Sequence, residues 1–102
     1  MIYSLIWAPS SDVSYFEEID FIFRKWNNNE VQKFQDLVFE NLERLSLNPN
    51  IGTYHELLKS YSFVISKQTT LYYIVDSENY IIYLVLFWNN SKNPNDLLKL
   101  LK

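Results

Sequence analysis

Thr70-Leu71-Tyr72-Tyr73-Ile74-Val75-Asp76-Ser77-Glu78-Asn79-Tyr80-Ile81-Ile82-Tyr83-Leu84-Val85-Leu86-Phe87-Trp88 is the stretch that decides the fold. Two runs dense in β-branched and aromatic side chains flank four polar turn residues, the pattern of a β-hairpin. The second run is apolar almost throughout, as a central strand covered on both faces should be. Just upstream, residues 61–66 form a third extended run, separated from the first by Lys67-Gln68-Thr69. Three consecutive strands joined by short turns predict an antiparallel meander.

Ahead of the meander the apolar period changes from two to helical. Val31, Phe34, Val38, Leu42 and Leu45 form one stripe over residues 30–46, with Leu37 flanking it and Glu40–Arg44 as a supporting i,i+4 pair. Over residues 13–26 the recurring set is Val13, Phe16, Ile19, Phe23 and Trp26, with Tyr15 and Ile22 at its edge and Asp20–Arg24 as the pair. Asn27-Asn28-Asn29 ends the first helix and caps the second, so the two should form an antiparallel hairpin. Asn48-Pro49-Asn50-Ile51-Gly52 reads as a loop, and Gly52, the only glycine, is expected at positive φ. Residues 2–8 read as a strand broken by Pro9, after which Ser10, Ser11 and Asp12 offer N-caps. Asn93-Pro94 opens a short C-terminal helix carrying Leu97, Leu98, Leu100 and Leu101. The fold class is therefore α+β, in the order β-α-α-β-β-β plus a short C-terminal helix. A helical hairpin covers the meander sheet and the first strand joins an edge.

With 102 residues and 48% hydrophobic content, the chain is read as one domain over 1–102. The balance of 9 cations against 12 acids gives −3 and a pI near 5.0, which argues against general nucleic-acid binding. There is no cysteine, so disulfides and thiolate catalysis are excluded. The N-terminal apolar run lacks a preceding basic segment and does not read as a signal peptide. The longest apolar run, residues 80–88, is too short for a helical membrane span. Together these imply a soluble cytoplasmic protein with no membrane partner.

Several local stretches resemble the RelE/ParE toxin family of type II toxin–antitoxin systems. Tyr3-Ser4-Leu5-Ile6-Trp7-Ala8-Pro9-Ser10 is similar to the family's opening strand and helix entry. Leu42-Glu43-Arg44-Leu45-Ser46-Leu47-Asn48-Pro49-Asn50-Ile51-Gly52 looks like its Leu-x-x-x-Pro-x-x-Gly helix exit. Tyr72-Tyr73-Ile74-Val75 with Tyr80-Ile81-Ile82-Tyr83-Leu84 is similar to the central hairpin. Leu86-Phe87-Trp88-Asn89-Asn90-Ser91-Lys92-Asn93-Pro94 resembles a Phe-Trp-Asp-x-Arg-x-Asn-Pro tail. The departures are cationic: Ser91 stands where the tail carries arginine, and serines occupy the neighbourhood of Tyr61-Ser62 where a second arginine is common. From Gly52 onward the only cations are Lys59, Lys67, Lys92, Lys99 and Lys102. RNA cleavage needs cations to hold phosphates and to stabilise developing charge, so the resemblance leans to the ParE-like branch.

Candidate site residues follow. Lys59, Lys67, Ser91 and Lys92 are target-contact candidates because they lie near positions where the family places basic residues; the alternative is solvated turn lysines. Lys67, Tyr61 and His55 are the catalytic candidates, the lysine for phosphate and the other two for proton transfer. A lone loop histidine is otherwise ordinary surface. Tyr54, Tyr61, Tyr72, Tyr73, Tyr80 and Tyr83 could stack on bases or pack within strands. Phe21 and Phe39 fall off their helices' main stripes and are candidates for a partner surface, unless the sheet or the C-terminal helix buries them. Neither a metal-ligand spacing nor a Gly-rich phosphate loop is present, and no cofactor is implied.

The expected function is the toxin of a type II pair, acting by protein binding: a cognate antitoxin as first partner and DNA gyrase as target. One alternative is a ribosome-dependent mRNA endoribonuclease of RelE type. A further alternative is an inactive homologue that only binds antitoxin.

Overall fold

The computed structural model describes residues 2–101; Met1 and Lys102, which the domain reading over 1–102 includes, lie outside them. The elements are β1 (Ser4–Trp7), α1 (Pro9–Lys25), α2 (Asn28–Leu47), β2 (Thr53–His55), β3 (Ser60–Val64), β4 (Thr69–Asp76), β5 (Ile81–Asn89) and α3 (Pro94–Leu101). The sheet order is β1-β5-β4-β3-β2. β2 to β5 form an antiparallel meander. β1 lies parallel on β5, with Ser4 opposite Ile81 and Trp7 opposite Leu84.

The α+β class, the helical hairpin, the meander and the edge position of the first strand are as the sequence predicts. β2 is an addition. Its three residues follow the loop and show no alternation strong enough to mark a strand, yet Thr53 and His55 pair with Ser62 and Ser60.

α2 begins as expected. The Asn27 side chain accepts a hydrogen bond from the Glu30 N–H at 3.0 Å, and Phe34, Val38, Leu42 and Leu45 are buried. Arg44 does not pair with Glu40; it donates to Asn41 Oδ1 at 3.1 Å and lies over the Phe63 ring. The Asp20–Arg24 pair forms, at 3.0 Å.

α1 departs from its prediction. Pro9 occupies its first turn, where a missing N–H costs nothing, and Ala8 stands at the N-cap with no side-chain cap bond. Ser10, Ser11 and Asp12 are thus inside the helix and do not cap it. The buried residues are Ser11, Ser14, Tyr15, Glu18 and Ile22, while Val13, Phe16, Phe23 and Trp26 from the predicted stripe are exposed.

One core cluster fills the space between the helices and the sheet: Tyr15 and Ile22 from α1, Phe34, Val38, Leu42 and Leu45 from α2, and Leu71, Tyr73, Ile82, Leu84 and Phe87 from the sheet. A smaller one on the opposite sheet face holds Tyr72, Leu86 and Trp88, with Leu97 and Leu101 of α3 packed on it. The change of face along β5 has a local cause. Tyr72 pairs with Leu86 but Tyr73 with Leu84, so Val85 is an extra residue. That bulge reverses the alternation, which is why Ile82 and Leu84 share a face with Phe87 and why the apolar run of β5 has no gaps. α3 opens as predicted, with Asn93 Oδ1 accepting from the Asn95 N–H at 3.0 Å.

Gly52 does not have positive φ; among the described residues that conformation belongs to Lys59 and Tyr80. Glycine is required there by crowding. A Cβ would meet Tyr73 Oη at 2.5 Å and the Ser62 carbonyl at 2.6 Å. The Gly52 N–H donates to Tyr73 Oη, whose hydroxyl donates to the Pro49 carbonyl at 2.8 Å. Burial pushes the Tyr73 hydroxyl up to about 12.

Candidate functional site

β1 ends opposite Leu84, so the last residues of β5 have no strand beyond them. Bare backbone groups on a buried edge are costly, and α1 supplies their partners. Ser10 Oγ donates to the Val85 carbonyl at 2.6 Å. The Phe87 N–H donates to Ser14 Oγ at 2.9 Å. One turn on, Glu18 interacts with the Asn89 side chain and accepts from Thr69 Oγ1 at 2.5 Å. Four helical residues advance about 6 Å and two strand residues about 6.6 Å, so the two spacings stay in step. The polar groups on the buried face of α1 thus form a ladder along β5.

Glu18 ends that ladder at the floor of a cleft of about 700 Å³ between α1 and the β5–α3 connection. Its walls include Glu17, Asp20, Phe21 and Lys25 of α1 and Ser91 and Lys92 of the connection. Glu18 is 3% exposed. Burial raises its pKa, against the opposing effects of the Thr69 and Asn89 hydrogen bonds and the Lys92 charge. Among the described residues it forms no ion pair; Arg24 is taken by Asp20. Lys25 Nζ lies 5.6 Å from the Phe21 ring centroid, and Lys92 Nζ lies 5.6 Å from that of Trp88. The site is therefore a buried carboxylate held by neutral donors, in a cleft whose rim carries the Phe21 ring and charges of both signs.

The predicted catalytic residues do not come together. His55 Nε2 lies 2.6 Å from Ser62 Oγ, on the sheet face that carries Tyr72. Tyr61 alternates to the helix face, stacks on Tyr73 at 5.2 Å and donates its hydroxyl to Asn50 Oδ1 at 3.2 Å. Lys67 sits in the β3–β4 turn, five residues beyond Ser62, or roughly 16 Å at strand rise.

The target-contact candidates divide by end. The Lys67 carbonyl accepts from Asn90 Nδ2 at 3.3 Å, which brings Lys67 beside the Ser91 and Lys92 segment. The N–H and hydroxyl of Ser91 both donate to Asn89 Oδ1, at 2.9 and 2.6 Å. Lys59 lies at the opposite end of β3, exposed in the turn from β2. Arg24 and Lys25, which are not among the predicted contacts, join Lys92 at the cleft. Nothing in the spacing of α1 to the C-terminal third marks that convergence. Glu18 also escapes a reading of the sequence, because acids on an amphipathic helix look like its wet face.

Phe21 and Phe39, the partner-surface candidates, are both exposed, at 37% and 56%. Phe39 belongs to a larger patch: Phe16 and Phe39 both pack edge-on against Tyr15, with ring centroids 5.6 and 6.4 Å away. Val13 and Phe23 extend the exposed apolar face along α1 at 61% and 51% exposure. No group of His, Asp or Glu suited to hold a metal ion occurs among the described residues, and no helix among them is long and apolar enough to cross a membrane.

No protein-family model and no curated protein matches the chain. Solved structures do match it. A chain of the chromosomal ParDE toxin–antitoxin system from P. aeruginosa superposes with a TM-score of 0.70 at 13% identity, over 86% of this chain and 96% of that one. A chain of the RelBE2 toxin–antitoxin complex of Mycobacterium tuberculosis gives 0.56 at 14% identity, over 88% and 100%. The E. coli toxin RelE, as a double arginine-to-alanine mutant in the free state, gives 0.59 at 15% identity, over 87% and 84%. This chain has the fold shared by the RelE and ParE toxins.

Proposed function

We propose that the chain is the toxin of a type II toxin–antitoxin pair, working in the cytoplasm by binding proteins. The observation that carries this reading is the exposed apolar face of Val13, Phe16, Phe23 and Phe39. A face shared by α1 and α2 with three exposed aromatics is costly in water and suits an amphipathic or extended segment of a cognate antitoxin. The fold match to two toxin–antitoxin systems supports such a partner. For the target we favour DNA gyrase, because His55, Tyr61 and Lys67 are dispersed over both faces and one end of the sheet. Positioning of that kind does not serve RNA cleavage, which depends on groups held within hydrogen-bond reach of one phosphate.

Expression of the chain alone should arrest growth, and co-expression of the adjacent reading frame should relieve the arrest. The two products should co-purify, and Phe16→Glu with Phe39→Glu should abolish co-purification while leaving the circular dichroism spectrum intact. Unaltered co-purification with that double variant would remove the aromatic face from the interface. Inhibition of gyrase supercoiling by the purified chain tests the target. Mapped mRNA ends that disappear with Lys67→Ala would instead establish the endoribonuclease alternative. Antitoxin binding without growth arrest would mark an inactive homologue.

A further inference from the structure

The helical hairpin carries the negative charge of the chain as well as its exposed aromatics. Residues 9–47 hold 8 of the 12 acids but only 4 of the 9 cations, while the rest of the chain has 4 acids against 5 cations. The acids gather around the aromatic face. At about 100° per residue, Asp12 and Asp20 lie within about 40° of Phe16 around α1, and Asp36 and Glu43 within about 60° of Phe39 around α2. All four are exposed. No Lys or Arg of either helix falls within about 60° of those two rings. Arg24 reaches Asp20 from beside the arc, whereas Asp12, Asp36 and Glu43 form no ion pair among the described residues. Phe16 and Phe39 meet over Tyr15, so the two arcs join into one apolar surface with carboxylates along its borders.

We propose that the partner segment seated on this surface is a basic amphipathic helix, with an apolar stripe against Phe16, Phe23 and Phe39 and flanking Lys or Arg facing Asp12, Asp36 and Glu43. The assignment rests on the reading of this face as the antitoxin surface and narrows it in conformation and in charge. The conformation follows from the backbone. α1 and α2 bond their own N–H and carbonyl groups internally, so the face offers no edge to which a strand could add. An occupant has to satisfy its own backbone, as a third helix laid into the groove of a hairpin does. Val13 to Phe23 advances about 15 Å along α1, so a helix of about 11 residues or more matches it. The charge follows from the borders. An acidic segment of equal hydrophobicity would bring like charges together as it docks, while a basic one is drawn in and held in register. The rings supply the affinity, and the carboxylates choose among apolar helices that would otherwise fit equally well.

Calorimetric titration of the full chain with synthetic peptides of roughly five helical turns tests the assignment. Two share one leucine stripe at helical spacing and differ only in carrying Lys or Glu beside it; a third is the Lys peptide with a central proline. The Lys peptide should bind saturably and about tenfold more tightly than the Glu peptide, as expected for a few exposed ion pairs acting together. That preference should shrink as salt is raised from about 0.1 to 1 M, which shortens the screening length from about 10 to 3 Å. Asp36→Lys with Glu43→Lys, both at exposed positions, should remove it. Should that variant not fold, the salt dependence of the native chain decides. The proline peptide should bind at least about tenfold more weakly than its parent, since proline breaks a helix interior. Equal or tighter binding of the Glu peptide, no saturable binding of the Lys peptide, or full binding of the proline peptide overturns the proposal. So does Lys-peptide binding that survives Phe16→Ser with Phe39→Ser, which would place the contact elsewhere. Co-purification of the adjacent gene product that is lost with Phe16→Glu and Phe39→Glu but indifferent to the charge reversal would overturn the basic helix and leave the antitoxin surface standing.

Discussion

α1 and α2 are neighbours in one hairpin, but they meet the sheet with different chemistry. α2 presents Phe34, Val38, Leu42 and Leu45 to the apolar core. α1 presents Ser11, Ser14 and Glu18 beside Tyr15 and Ile22, and turns Val13, Phe16 and Phe23 outward. The difference lies in what each helix covers. α2 lies on side chains, which ask only for apolar volume. α1 runs along the end of β5, whose unpaired Val85 carbonyl and Phe87 N–H need hydrogen-bond partners. A helix that replaces a missing strand is selected for polar groups on its inner face, and its aromatics are then free to serve another molecule.

Substitutions can break this contrast. The largest effect should come from the inner face of α2: Leu45→Ala empties a fully buried site and should cost about 2–5 kcal/mol in urea denaturation. Next is the inner face of α1, where Ser14→Ala removes few atoms but strands the Phe87 N–H. Its cost should be about 1–3 kcal/mol, and a value near zero would show that the ladder does not hold the helix. A smaller effect should appear at Glu18. Its folded pKa is raised above the ordinary 4.5, so the folded state holds the proton more tightly than the unfolded one. Stability associated with Glu18 is then full below about pH 4.5 and is lost as pH rises through the folded value. Glu18→Gln should abolish that decline, seen as a flatter plot of melting temperature against pH. Smallest of all, Phe23→Ser on the outer face of α1 should change stability by no more than about 0.5 kcal/mol, despite removing an aromatic side chain.

The same contrast explains what could be read from the residues alone. Periodicity places the buried face of α2, the Asn27 cap and the β4–β5 hairpin, because in each case local pattern and tertiary demand coincide. It misplaces the buried face of α1 because a helical wheel weighs hydrophobicity and has no knowledge of an unpaired strand edge far along the chain; Ser14 and Phe87 are 73 residues apart. Gly52 stands out as the lone glycine, but its reason is the Tyr73 hydroxyl, a contact only the folded chain supplies. β2 is too short to announce itself. At the candidate sites, Phe21 and Phe39 are legible as aromatics out of register with their stripes. The Glu18 cleft is not, since it is assembled from α1 and from a connection that follows it by more than sixty residues.

The pairing of β1 with β5 sets a schedule for synthesis. Ser4 waits for Ile81, 77 residues later. At about 5–20 residues per second the delay is roughly 4–15 s. Throughout that interval the first strand, the hairpin aromatics and the serines of α1 exist without the edge they are built to meet. The inner ladder and the Glu18 cleft cannot form until β5 has emerged, whereas the outer aromatics of α1 need only the helix. The apolar surface of α1 is therefore complete on the nascent chain before the rest of the molecule is.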